Sequence, residues 1–596
     1  MNESPSSEYE ARLAARRGTV AALKRREASI STARLVVFGA GVLLVWFSLV
    51  RTVLPQWLPL VPGVIFLWLI VIHARTTSKR KRGERAAAFY EDGLDRIARR
   101  VNDRQPTGES YLEASHPYAE DLDLFGRESL FRLLSIARTR GGEARLASWL
   151  LAAASPDGIR ARHAAIAELR GALDLREDVS VLGDETSVVD SRSLASATRV
   201  DHPIVDGGAR GALRGAAMVL AAGNAVTLIG WGFLEWGSLP FLFFAIAGGL
   251  FGWVLRDGTH RRIAGIDSTS ESLALIGLLL SRIERERFSS PLLVELRASL
   301  DTDGVAPSEA ILRLTRLVDL LDARRNQFFA PIGALLLWTT QWSFAIESWK
   351  LRFGNASTRW LDALAEIEAL SSLSSFSFEH PQYPFPDIVE GRSFRAEGIG
   401  HPLIPEERLV RNDVELGEPV SLLIVSGSNM SGKSTLLRSV GTNAVLALAG
   451  APVCARRLSI SPLGIGASIR IQDSLAEGRS RFFAEILRLR QIVELAEQVP
   501  LLFLLDEMLH GTNSHDRRIG AEAILRGLVD RDAIGLVTTH DLALADVTGA
   551  LAGRARNVHF EDHIEDGTMI FDYRMRDGVV RRSNAIELMR SIGLDV

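Results

Sequence analysis

The chain has 596 residues, 47% of them hydrophobic, with 69 Lys and Arg against 72 Asp and Glu and a formal net charge of −3. That length holds several domains, and a mean hydropathy of +0.11 is high for a soluble protein and points to membrane segments. The near-neutral charge excludes a globally basic nucleic-acid binder, and the single cysteine, Cys454, excludes an internal disulfide and a cysteine-rich zinc site.

Residues 1–33 read as a basic cytoplasmic segment. Four runs then lack Asp, Glu, Lys and Arg: Leu35–Val50, Thr52–Ala74, Gly215–Leu234 and Trp236–Leu255. A spanning helix needs about 20 apolar residues, so the last three suffice and the first needs its ends extended. Basic residues flank each pair outside, from Arg16 to Arg34 and Arg75 to Arg85, then Arg210, Arg214, Arg256, Arg261 and Arg262. Only Arg51 and Glu235 lie in the turns. The positive-inside rule therefore predicts two hairpins, 34–75 and 210–256, in a cell inner (cytoplasmic) membrane, with all large segments cytoplasmic. The first run starts too far from Met1 for a cleaved signal peptide.

Residues 76–123 read as linker helices, 124–209 as the first part of a helical core and 257–377 as its second, lever-like part. Leu130, Leu133, Leu134, Ile136 and Ala137 trace one helix face, as do Trp360, Leu361, Leu364, Ile367 and Leu370. Ser155-Pro156 is a helix start. A fifth uncharged run, Asn326–Ile346, is read as a buried helix, because a span there would put the C-terminal domain outside. The proline- and aromatic-rich Phe376–Gly391 marks a boundary, and 378–596 alternates short β-like runs with helices, an α/β texture. The expected fold class is thus multi-domain: two transmembrane α-helical hairpins, an all-α core and lever, and a C-terminal α/β P-loop ATPase domain.

Gly427-Ser428-Asn429-Met430-Ser431-Gly432-Lys433-Ser434 fits G-x-x-x-x-G-K-[ST], between an apolar strand, Leu422–Val425, and a helix starting at Lys433. Its backbone N–H groups and helix N-terminus suit a phosphate. Lys433 reaches the β- and γ-phosphates of ATP, Ser434 offers a hydroxyl to Mg²⁺, and Thr435 completes the loop. "PLLFLLDE", Pro500–Glu507, is a buried strand delivering two carboxylates. Asp506 is the second expected Mg²⁺ residue and Glu507 the general base. "IGLVTTHD", Ile534–Asp541, ends another strand at His540, a candidate γ-phosphate sensor.

"DSLAEGRSRFFAEI", Asp473–Ile486, resembles the signature segment of the MutS mismatch-repair ATPases, D-x-L-A-x-G-x-S-x-F-x-x-E. Asn429–Thr435, "DEMLHGTNSHD" at Asp506–Asp516 and "GHPLI" at Gly400–Ile404 resemble the same family. Leu130–Leu169 and Trp360–Ser377 look like its core opening and the helix before its ATPase domain. The resemblance implies a homodimer with composite ATP sites, in which Ser480 reaches the γ-phosphate held by the partner, and a cycle that long helices carry to DNA. No counterpart of the family's mismatch-reading Phe-x-Glu wedge is found. The second hairpin interrupts the core, and the chain stops at Val596 without room for the family's C-terminal dimerisation helices. Two functions remain open: a membrane-anchored MutS-like ATPase coupled to DNA, or an ATP-driven membrane machine for transport or remodelling with lipid as its partner.

Overall fold

The computed structural model describes residues 4–51, 53–186, 210–263, 270–428, 431–470, 481–509, 512–540, 547–551, 553–565 and 568–580. Its first element is a helix, Pro5–Val45, begun by the Ser4 hydroxyl accepting from the N–H of Ser7, with Pro5 in the first turn. A wider turn, Trp46–Val50, continues it, and Leu60–Ile97 returns against it. The short uncharged run at Leu35–Val50 is therefore the end of a 46-residue helix. The two halves of the hairpin are held differently. Near the chain start, Arg80 pairs with Glu27 at 2.6 Å and Lys24 with Glu84 at 3.1 Å. Near the turn, Leu35, Val36, Leu60 and Trp68 are exposed.

The second hairpin joins Arg210–Phe233 to Ser238–Ile263 through a turn with Glu235 at φ +57°. Its helices approach closely: a Cβ on Gly223 would lie 2.4 Å from the Phe244 ring. Four helices, Pro5–Val50, Leu60–Ile97, Gly211–Phe233 and Ser238–Thr259, are long and apolar enough to cross a membrane by length and composition.

Between and after the hairpins, shorter helices pack round a 42-residue helix, Trp338–Glu379, which carries Trp360, Leu364, Ile367 and Leu370 into the core. Ser155 caps the helix Pro156–Arg170, as its Ser-Pro start predicts. Two expectations need correction. Ile136 and Ala137 are buried but lie beyond the helix Leu130–Leu134, because the chain turns extended at Ser135 (φ −73°, ψ 123°). Asn326–Ile346 is not one buried helix. The Asn326 side chain accepts from the N–H of Phe328 and forms a turn, and Pro331 opens a short helix, Ala330–Leu335. Leu337 at φ +50° separates that helix from the long one. Phe328 is 91% exposed, whereas Phe344 and Ile346 are buried. This segment meets the second hairpin, where the Asn224 amide donates to the Leu335 carbonyl at 2.9 Å.

After His380 the chain becomes α/β. The strands are β1 Asp387–Ile388, β2 Phe394–Ile399, β3 Asn412–Leu416, β4 Leu422–Ser426, β5 Arg457–Ile460, β6 Gly464–Ser468, β7 Leu501–Leu505, β8 Ile534–Thr539, β9 Ala555–Glu565 and β10 Thr568–Asp577. They form a small sheet, β1-β5-β2-β3, and a larger one, β10-β9-β4-β8-β7-β6. In the larger sheet β9, β4, β8, β7 and β6 run parallel and β10 antiparallel. β4, β7 and β8 are buried along their whole length, as apolar runs in a sheet covered on both faces must be.

Candidate functional site

Parallel strands β4, β8 and β7 are neighbours, so the loops leaving their C-terminal ends converge. The loop after β4 enters the helix Lys433–Ala449. Gly427 has φ +154° and Gly432 φ +105°, and a Cβ on Gly427 would come within 2.8 Å of the Ser431 hydroxyl. Only glycine suits both positions. The loop buries two hydroxyls, Ser428 and Ser431, that have no hydrogen-bond partner among the described residues. Buried donors left unsatisfied are unfavourable, and a phosphate would satisfy them. The donor set therefore fits ATP.

Lys433 Nζ lies inside this loop, donating to the carbonyls of Gly427 and Ser428 at 2.8 Å each. It stands 3.7 Å from Glu507 Oε1. Burial pushes its pKa below the ordinary lysine value, opposed by the charges of Glu507 and Asp506. Asp506 leaves β7 with its N–H bonded to the Ser468 carbonyl of β6 at 2.9 Å. The chain then turns sharply, with Glu507 at φ +46° and Leu509 at φ +56°, which aims Glu507 at the phosphate loop. His540 Nδ1 sits 3.6 Å from the same Glu507 oxygen.

Lys433, Asp506, Glu507 and His540 thus meet at one sheet edge. Ser434 and Thr435 join Lys433, Asp506 and Glu507 in lining a cavity of about 720 Å³. Apolar Leu403, Ile404, Val410 and Phe560, the ring of Tyr573 and the polar Arg408 and Asn412 also line it. The carboxylate Asp506 and hydroxyl Ser434 are hard oxygen donors of the kind Mg²⁺ takes. Asn429, Met430 and Ser480 lie outside the described residues, as does most of the signature segment.

Three further residues build the site. The Thr538 hydroxyl of β8 donates to Asp506 Oδ1 and accepts from the Glu507 N–H at 3.1 Å. Its signal was available: it stands two positions before His540, on the same side of an extended strand. Glu485, in the helix Arg481–Ala496, accepts from the N–H of Leu509; it closes the quoted signature pattern. Tyr573 comes from β10 and lies over Gly432, where a Cβ would approach its ring to 3.0 Å. Its carbonyl accepts from Asn412 at 3.0 Å. No local pattern marks Tyr573.

Residues 423–595 match the family model of MutS domain V. The chain is 32% identical over 238 residues to a DNA mismatch repair protein MutS of Halalkalibacterium halodurans and 32% over 241 to that of Geobacillus thermodenitrificans. It is 33% identical over 242 residues to a DNA mismatch repair protein MutS 2 of Halobacterium salinarum. Each match covers 39% of this chain and only 27%, 26% and 27%, respectively, of the relative. The likeness is thus confined to the part that carries the phosphate loop and the Asp506-Glu507 pair. Residues 423–595 are thus similar to MutS domain V, and the chain spans about a quarter of the length of the curated relatives it matches.

Proposed function

We propose that the chain is a membrane-anchored, Mg²⁺-dependent ATPase of MutS type, working as a homodimer with composite sites. The observation that carries the proposal is the convergence of Lys433, Asp506 and Glu507 on one cavity, with His540 3.6 Å from Glu507. Lys433 and the loop N–H groups hold the phosphates. Ser434 and Asp506 would hold Mg²⁺, which supplies positive charge against the phosphate oxygens. Glu507 takes the proton of the attacking water, and His540 orients Glu507 and the departing phosphate. Ser480 precedes the helix Arg481–Ala496; a hydroxyl at a helix start suits a phosphate held by the partner.

ATP turnover by the detergent-purified full chain tests this, with Glu507→Gln as control. Turnover is expected to fall at least a hundredfold in the variant while ATP binding persists. Turnover that survives the substitution would remove Glu507 from the mechanism.

What the cycle drives is read from the connections. The named relatives are mismatch-repair proteins, which favours coupling to DNA at the inner membrane, with the ATPase domain cytoplasmic. A second reading, a membrane machine without DNA, is favoured by the long helix Trp338–Glu379. It starts against the second hairpin and ends at the ATPase domain. Stimulation by duplex, mismatched or branched DNA that high salt abolishes would select the first. Indifference to DNA with dependence on lipid would select the second.

A further inference from the structure

A second cavity, of about 830 Å³, adjoins the first and shares Leu403, Ile404, Pro405, Arg408 and Thr435 with it. Stretches distant in the chain wall it: the end of the first hairpin with the turn after it, the short helix Leu130–Leu134 with the turn before it, the loop His401–Arg408, the phosphate-loop helix at Thr435 and Arg438, and Arg470. Its lining holds eight arginines but only two carboxylates, Asp123 and Glu128, so its potential is positive.

The arginines differ in how they are neutralised. Arg438 and Arg470 share Asp123, at 2.8 and 2.6 Å. Arg96 pairs with buried Glu379, and Arg100 and Arg127 pair with Asp95 and Asp103. Arg99, Arg132 and Arg408 have no carboxylate partner among the described residues. Arg99 donates to the carbonyls of Pro402 and Arg96, both at 2.7 Å. Arg132 donates to Gln105 at 3.2 Å, the Arg127 carbonyl at 2.6 Å and the Asn102 carbonyl. Carbonyls hold a guanidinium in place without cancelling its charge. His401, which also lines the cavity, is kept neutral to about pH 4 by burial and by Arg438 and Arg99.

We propose that this cavity is a second anion site, which takes a soluble phosphate-bearing molecule of nucleotide size. Arginine forks match phosphate oxygens, and the volume is that of a small-molecule site. Phe125, Val101 and Leu133 supply an apolar wall for an organic moiety. With Thr52–Ala74 in a bilayer, the helix from Arg75 to Arg96 puts roughly 30 Å between headgroups and cavity at 1.5 Å per residue. A free ligand therefore reaches the cavity and a lipid headgroup does not. Occupancy would tie the end of the hairpin helix to the phosphate-loop helix, beside the ATP site and independent of Glu507.

The test uses the full chain in detergent, carrying Lys433→Ala to disable the phosphate loop, titrated calorimetrically with sodium tripolyphosphate. Saturable binding to one site per chain is expected. Arg132→Gln should weaken it tenfold or more, and so should Arg127→Glu and Arg470→Gln at partly exposed positions that leave the core intact. No saturable binding, or affinity indifferent to Arg127→Glu and Arg470→Gln, would overturn the proposal. So would tighter arginine-dependent binding to vesicles containing phosphoinositide, or to duplex DNA, than to tripolyphosphate.

Discussion

The buried carboxylate of Glu485 accepts a hydrogen bond from the backbone N–H of Leu509. One end of this contact is on the helix that follows the signature segment, and the other is on the turn that aims Glu507. The contact thus ties the position of that helix to the turn that carries Glu507. Glu485→Gln weakens a charged acceptor while keeping its shape. It should lower kcat about tenfold and leave ATP affinity little changed. Equal kcat in variant and parent would show that the contact is only structural.

Thr538 holds both acidic residues, donating to Asp506 and accepting from the Glu507 N–H. Thr538→Val removes both bonds at nearly constant volume. A turnover loss of about tenfold and a raised Mg²⁺ requirement are expected from loosening a preorganised site. Magnesium titrations of parent and variant check this, and superimposable curves would contradict it.

The first hairpin is tied to the long helix by a buried pair. Arg96 Nη2 lies 2.5 Å from Glu379 Oε1, and the hydroxyl of Tyr9 donates to the same oxygen at 3.2 Å. Breaking such a pair strands the other charge, so Arg96→Ala should destabilise the helical core by about 3–5 kcal/mol. Denaturant melts of the two proteins measure it; a loss below about 1 kcal/mol would mean that Glu379 finds another partner.

Stability should fall in acid. Burial, reinforced by nearby arginines, holds His380 and His401 at about 3 and about 4, below the ordinary 6.5. Both are neutral in the fold and gain protons on unfolding. Their contribution is complete above pH 6.5 and is lost as pH falls toward 4, by up to about 1.4 kcal/mol per pH unit each. Glu368 works the other way: burial raises it to about 7, so it favours the fold at low pH and loses that as pH rises through 7. The two histidines outweigh it between pH 6.5 and 4.5. His380→Asn should flatten the stability–pH slope in that window, and an unaltered slope would refute the assignment.

Phe328 stands exposed in the segment that meets the second hairpin at Leu335, and its neighbour Phe329 lies against Trp338 with rings 5.0 Å apart. Aromatic residues favour the membrane interface. A fluorophore on Phe328→Cys should emit further to the blue in proteoliposomes than the same fluorophore on Glu415→Cys, an exposed position of the α/β domain. Emission typical of water in both would place the segment in solvent.

Much of the site is local in the chain. The spacing of glycines, lysine and hydroxyl in Gly427–Ser434, and the apolar runs ending at Glu507 and His540, announce phosphate chemistry because each is a strand followed by its own loop. The uncharged runs announce four long apolar helices by composition alone. What the sequence could not specify is which loops become neighbours. Sheet order brings β8 between β4 and β7, and so sets Thr538 against Asp506 and His540 against Glu507. The break at Leu337 was hidden because an uncharged run has the same texture whether it is one helix or two. The arginine cavity was hidden for a related reason. Its walls, from Arg96 to Arg470, are distant in sequence, and only tertiary packing brings their charges within reach of one another.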